Sequence, residues 1–219
     1  MCAVKGCVMD IGKEEDTMAF FQRCYENLQR TFFDSRQRPL LHGKRIDVDL
    51  KSKIGGCFEI FWHITGFSEE DLGSVPLPFK PCVNSLSTER CDGNCINKFK
   101  WKEMPSKERR YICLYRASFC GLIPEIVRKA NENAPDVKYW EKTKGHKTRI
   151  YLRYQFETVD YLVVFEVKSE IRVFFVTAFP LFFERAKMQS DKDYFKYNEN
   201  NKNQLSHYES QGLLLKLVR

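Results

Sequence analysis

Three apolar segments in the second half of the chain alternate with short polar breaks. They cover Arg149–Phe156, Tyr161–Lys168 and Arg172–Phe182, and β-branched and aromatic residues dominate each of them. The breaks are about two to four residues long, which favours antiparallel hairpins because a parallel return needs a longer crossover. The middle segment is apolar on both faces. The pattern therefore predicts an antiparallel meander with Tyr161–Lys168 in the interior of its sheet.

The first of these strands has one polar face. Alternation places four side chains together there: Arg149, Tyr151, Arg153 and Gln155. Two further basic residues, His146 and Lys147, directly precede the strand. We expect this cationic platform to bind an anionic backbone.

Helical spacing of apolar residues recurs in two other segments. It predicts an amphipathic helix over Asp16–Phe33 and a second helix over Ile123–Asn133, with Pro124 in its first turn. The first helix packs either within this chain or against a partner, and packing within the chain is the commoner arrangement.

The aromatic segment Cys57–Thr65 is predicted to form a strand, on which His63 shares a face with Phe61. A histidine in such a segment is either a packed core residue or a functional one, and both interpretations stay open.

The remaining segments have little regular periodicity. They are a polar link with a short strand at Arg45–Leu50, an irregular insertion at Gly66–Trp101, a polar loop at Asn131–Lys144 and a loop or partly disordered stretch at Ser190–Tyr208. The whole pattern predicts an α+β fold: an antiparallel sheet of about four strands with helices packed on one face and a cysteine-containing insertion. The expected units are an N-terminal helix and linker (1–56), an α+β domain (57–183) with its insertion at 66–101, and a polar extension (184–219).

The charge of the chain is unevenly distributed. The 219 residues carry a net charge of +7, and the segment from Lys98 to Arg153 alone has nine lysines and six arginines against six acidic residues. Such a basic balance favours nucleic acid or an acidic surface as partner. Arg109, Arg110 and Arg116 belong to this segment, and they face either solvent or a phosphate backbone.

The nine cysteines follow no apolar signal segment, and no run of about eighteen apolar residues occurs. We therefore expect a cytoplasmic protein with reduced thiols that does not associate with a membrane. Cys82, Cys91 and Cys95 lie close together in the insertion. They are either ordinary thiols or ligands of a structural zinc ion.

Metal-independent RNA cleavage is the simplest nucleic-acid chemistry open to these residues. The 2′-OH of the RNA attacks the adjacent phosphate, so the enzyme has to supply only proton transfer and positive charge. Histidine suits the first task and arginine the second, and a hydroxyl such as that of Thr177 or Tyr154 can orient the phosphate. No cofactor is needed for this reaction.

A histidine-bearing segment (FWHIT), an arginine-bearing segment leading into a helix (ERRYICLYRASFCGLIPEIVRKA) and a meander ending in FVTAF together resemble one superfamily. The chain resembles the Barnase–EndoU–colicin–RelE nucleases, especially their prokaryotic and phage branch, over about residues 57–183. The resemblance implies a toxin- or defence-type endoribonuclease with RNA as substrate, and an inhibitor or other partner protein is a second expected partner. By this likeness His63 is the general acid/base, Arg149 or Arg153 binds phosphate, and Thr177 supplies the hydroxyl. The cysteine-rich insertion departs from the compact family pattern.

Two other functions compete with this one. Asp160 and the sequence Glu166-Val167-Lys168 echo a metal-dependent nuclease, but both carboxylates fall on one predicted strand, about 20 Å apart, too far to share an ion. A basic binding module without catalysis, for nucleic acid or protein and with or without zinc, also explains the charge and the cysteines.

Overall fold

The computed structural model of the chain describes residues 8–9, 17–68, 101–156, 159–181 and 183–210. In chain order its elements are α1 (Thr17–Leu28), a π-helical turn (Gln29–Phe33), β1 (Arg45–Asp47), β2 (Lys53–Ile54), β3 (Cys57–Phe58), α2 (Glu59–Thr65), β4 (Gly66–Ser68), β5 (Trp101–Glu103), β6 (Arg109–Ile112), α3 (Leu114–Phe119), α4 (Leu122–Asn131), β7 (Val137–Lys144), β8 (Lys147–Phe156), β9 (Val159–Ser169), β10 (Arg172–Pro180) and α5 (Glu184–Ser210).

A five-stranded sheet organises the fold, in the order β1-β10-β9-β8-β7. Strands β7 to β10 are antiparallel, whereas the short β1 runs parallel to β10. The predicted meander is confirmed, and its apolar middle strand β9 is the central strand of the sheet. The predicted α+β class is confirmed as well.

One face of the sheet carries the main core. Ile150, Leu152 and Tyr154 of β8 point into it, which confirms the predicted alternation of this strand. Helices α2, α3 and α4 contact the sheet, and α1 packs on α3 within the same core. The N-terminal amphipathic helix therefore packs within the chain, and its aromatic residues Phe20 and Phe21 are only 1% exposed. Each buried phenylalanine contributes about 1.5–3 kcal/mol of hydrophobic stabilisation.

Helix α5 covers part of the opposite face. A narrow stripe of small and aromatic side chains on α5 faces the sheet: Ala186, Ser190, Tyr194 and Tyr197. Trp140 is 2% exposed beneath this helix and stacks on Tyr151 with the ring centroids 5.2 Å apart. The prediction of a loop or disordered stretch at Ser190–Tyr208 was therefore wrong. The stripe holds hardly any strongly apolar residue, so hydrophobic periodicity did not reveal the helix.

Two further predictions need correction. Cys57–Thr65 is not one strand, because β3 ends at Phe58 and α2 follows directly. A short apolar segment does not distinguish strand from helix by periodicity alone, and here rings from α1 and α2 pack together, such as Phe21 and Phe61 at 4.8 Å. The predicted loop at Asn131–Lys144 contains β7, whose residues are polar except for Val137 and the adjacent Tyr139 and Trp140.

The irregular insertion lies largely outside the described residues, although its ends form β4 and β5, which pair with β6 in a small sheet. Among the described segments, no helix is both long and apolar enough to span a bilayer.

Candidate functional site

A cavity of about 500 Å³ lies where α2, β6 and the end of β10 meet the start of α5. Its polar lining includes His63, Arg110, Arg116 and Thr177, and much of the remaining lining is apolar, as at Phe67. Mostly apolar cavities with a few convergent polar groups are the usual form of ligand-binding sites. Four residues selected from distant parts of the sequence thus line one cavity.

His63 lies in the last turn of α2, with 32% of its side chain exposed. Its Nε2 atom is 3.4 Å from Oε1 of Glu59, one helical turn earlier, and this carboxylate can hold the imidazole in one orientation. A second cavity, of about 220 Å³, is lined by Glu59 and shares His63, Ile60 and Val176 with the first. The imidazole therefore stands between two adjoining cavities.

Arg116 fixes the helix that carries His63. The side chain is 7% exposed, and its guanidinium donates to the carbonyl oxygens of His63 (3.3 Å), Ile64 (3.2 Å) and Gly66 (2.7 Å). Two of these carbonyls belong to the last turn of α2, where carbonyls have no partner within the helix. Gly66 allows the chain to leave α2 close to its last turn, because a Cβ there would lie 2.8 Å from the carbonyl oxygen of Trp62. Arg116 thus holds the α2 end, and its contacts give it a positioning role.

A β-bulge directs Thr177 to the cavity. The register between β9 and β10 shifts between Phe175 and Thr177, so that Val176 is an extra residue on β10. The shift leaves Thr177 opposite Val164, on the face away from the main core. Bulges re-aim side chains in this way, often beside functional sites.

Arg110 supplies a cationic group to the cavity. It forms an ion pair with Glu108, with Nη2 2.9 Å from the carboxylate. Its Nε atom is buried and has no hydrogen-bond partner among the described residues. A buried donor without a partner costs about 1–3 kcal/mol, and an anionic ligand in the cavity would relieve that cost.

Arg153 does not belong to an exposed platform, so that expectation was wrong. Its side chain is 3% exposed and ion-paired with Asp160 and Asp191, each at 3.0 Å. Helix α5 brings Asp191 onto this face, and no local sequence pattern predicts this contact. Arg149 is half-buried nearer the start of β8, beyond the part of the face that α5 covers.

The other predicted binding residues are dispersed. Tyr154 is 3% exposed in the main core, with Nζ of Lys129 5.5 Å from its ring centroid, so it is not placed to orient a phosphate in the cavity. Arg109 is exposed on β6. His146 and Lys147 are exposed at the turn between β7 and β8.

The structure bears only indirectly on metal binding. Cys82, Cys91 and Cys95 lie outside the described residues, and within the described ranges no group of three or more His, Cys, Asp or Glu side chains could hold an ion. Asp160 is bonded to Arg153 and Glu166 to Lys168, so these two carboxylates of β9 are engaged with separate cations.

Sequence reasoning missed Glu59 as the partner of His63. The four-residue spacing of the two side chains is the signal of a pair on one helical face. That signal was lost because the segment was interpreted as a strand.

Comparison with known proteins adds no relative: neither a family model, nor a curated protein, nor a solved structure matches the chain.

Proposed function

We propose that the protein is a metal-independent endoribonuclease and that its reaction centre is the cavity at the end of α2. The observation that supports this most is the convergence of His63, Thr177 and Arg110 on one cavity from three separate elements. An imidazole, a hydroxyl and a guanidinium are the groups that RNA cleavage through the 2′-OH requires.

In the proposed reaction, His63 takes the proton from the 2′-OH while Glu59 keeps its ring oriented. The 2′-oxygen attacks the adjacent phosphorus and the bond from phosphorus to the 5′-oxygen breaks. The leaving oxygen takes a proton from water, the hydroxide that forms takes the proton from His63, and the products are a 2′,3′-cyclic phosphate and a 5′-hydroxyl end. Arg110 stabilises the charge that develops on the phosphate, and Thr177 donates a hydrogen bond to it.

The test is the digestion of single-stranded RNA in EDTA. Replacing His63 with Gln should lower the cleavage rate by about 10²–10⁴-fold, the usual contribution of one general acid/base, while the melting temperature stays within a few degrees. His42→Asn is the matched control. His42 is exposed, it lies outside both cavities, and asparagine suits its positive φ of 44°.

Equal cleavage by wild type and His63→Gln would refute the proposal. RNA binding without any cleavage by the wild-type protein would also refute it, and would favour the binding module instead.

A further inference from the structure

The sheet face that α5 covers continues beyond the helix as an open, basic surface. We call this surface the open face and define it by Lys142, Lys144, Lys147, Arg149 and Lys168. Cross-strand register places Lys142 opposite Arg149 and Lys144 opposite Lys147, so these four side chains share one face of the sheet. Lys168 reaches the same face, because its Nζ atom pairs with Glu166, the partner of Arg149 on β9, and lies 5.5 Å from the ring centroid of Phe174, which is opposite Glu166.

The open face has more positive than negative charge. Lys142 pairs with Asp193 of α5 and Lys168 pairs with Glu166. By contrast, Lys144, Lys147 and Arg149 have no ion pair with any described residue. The hydrogen bond from Lys168, together with the charges of Lys168, Lys147 and Arg149, lowers the pKa of Glu166.

The open face adjoins the cavities around His63. Phe174, opposite Glu166, lines the smaller cavity, and Nζ of Lys168 lies 5.5 Å from its ring centroid. Thr177 is aligned with Val164 on β9 and with Tyr151 on β8, and Tyr151 is four residues from Lys147. Thr177 and Lys147 are therefore four residues apart along the strands and two strands apart across the sheet. This corresponds to about 17 Å at ordinary strand spacings, a span of a few nucleotides of extended chain.

We propose that the open face binds the phosphate backbone of single-stranded RNA whose scissile nucleotide occupies the cavity. The inference rests on the proposed function and names the form of its substrate. A cationic surface beside an aromatic ring is the usual arrangement for single strands, which stack bases and pair phosphates with Lys and Arg. Ile171 is exposed in the turn between β9 and β10 at this end of the sheet, but none of the five residues that define the open face is apolar, so the surface favours a nucleic acid over a lipid bilayer.

The test measures binding of a 2′-O-methyl 12-nucleotide strand, which cannot be cleaved through its 2′-oxygen, over a series of salt concentrations. The double variant Lys144→Ala/Lys147→Ala should bind more weakly. The slope of log affinity against log salt should fall by about 1.4, at about 0.7 per lost phosphate contact on a single strand. The control is Lys192→Ala/Lys196→Ala, which removes the same charge from exposed positions of α5 and should leave the slope unchanged.

If the two double variants lose the same RNA affinity and the same salt dependence, the inference is overturned, because the effect then comes from net charge alone. Absence of binding to the strand, with binding to vesicles rich in phosphatidylserine, would overturn it in favour of a membrane.

The dinucleotide UpA separates this inference from the proposed function, since it is too short to reach the open face. Wild type and Lys144→Ala/Lys147→Ala should cleave UpA at equal rates, whereas the variant should cleave an unmodified RNA of 12 nucleotides more slowly. This result would support both the inference and the proposed function. A variant that cleaves the long RNA as fast as wild type would overturn the inference and leave the proposed function standing. If neither wild type nor variant cleaves UpA or the longer RNA, but the salt dependence of binding is still weaker in Lys144→Ala/Lys147→Ala, the proposed function fails and the binding surface stands.

Discussion

Replacing Arg153 with Met tests whether this residue belongs to the structure or to a phosphate-binding surface. The guanidinium donates to Asp160 from Nε at 3.3 Å and from Nη2 at 3.0 Å, and its Nη1 atom donates to Asp191 at 3.0 Å and to the carbonyl oxygen of Lys187 at 3.1 Å. Methionine keeps much of the volume but leaves the carboxylate of Asp160 buried without its main partner.

Breaking a buried ion pair from one side costs about 3–5 kcal/mol. We expect about 3 kcal/mol here, the lower end of that range, because Nζ of Lys187 lies 3.7 Å from Asp160 and compensates part of the charge. For a chain of this length, that loss corresponds to a fall in melting temperature of about 6–12 °C. Urea unfolding followed by tryptophan fluorescence is a suitable assay, since Trp140 lies beneath α5 and reports its docking.

Arg149→Met is the control on the same strand and should change the free energy of unfolding by less than about 0.5 kcal/mol. The double variant Arg153→Met/Asp160→Asn should recover part of the loss, because it removes the uncompensated charge. If Arg153→Met is as stable as Arg149→Met, the assignment of Arg153 to a structural ion pair is wrong.

Two further predictions concern titratable groups. Burial raises the pKa of Asp191, but the hydrogen bonds and charges of Lys138 and Arg153 outweigh it, and the net pKa is lowered. The stabilisation is therefore present above the unfolded-state pKa of about 3.9 and is lost as the pH falls through the folded-state value. Asp191→Asn should lower the melting temperature at pH 7 and weaken its dependence on pH between 5 and 3, and an unchanged pH profile would contradict this. Burial also raises the pKa of the Cys57 thiol to about 11. Iodoacetamide at pH 8 should therefore alkylate the half-buried Cys113 well before Cys57, as measured by peptide mass spectrometry. Faster labelling of Cys57 would contradict its burial.

The sequence predicted the elements that carry a strong apolar pattern. The first strand of the meander shows a period of 2, its central strand is a continuous apolar run, and the helix at Ile123–Asn133 shows a period of 3.6. Each of these elements is present in the structure. The apolar pattern within each of these segments is enough to predict its secondary structure from the sequence alone.

The errors occurred where tertiary contacts decide the structure. Helix α5 is polar along most of its length, and ion pairs with the sheet hold it, such as Lys138 with Asp191 at 2.7 Å. These partners are about fifty residues apart, and no local pattern connects them. Docking of α5 also converts Arg153 from an expected ligand-binding group into a buried structural one.

The site was predicted in part. His63, Thr177, Arg110 and Arg116 were named from the sequence, and the structure brings them to one cavity. Their relative placement depends on the bulge at Val176 and on the hydrogen bonds from Arg116 to the end of α2. Hydrophobic periodicity in the sequence predicts neither this bulge nor these hydrogen bonds.

The chemical identity of the cut ends tests the central claim most directly. Single-stranded RNA is incubated in EDTA with wild-type protein and with His63→Gln, and the product ends are identified by mass spectrometry. The proposed reaction at His63 predicts 2′,3′-cyclic phosphate and 5′-hydroxyl ends from the wild type, with formation slowed at least a hundredfold in the variant. Intact RNA, 5′-phosphate ends, or the same cyclic product at an equal rate from the variant would contradict it.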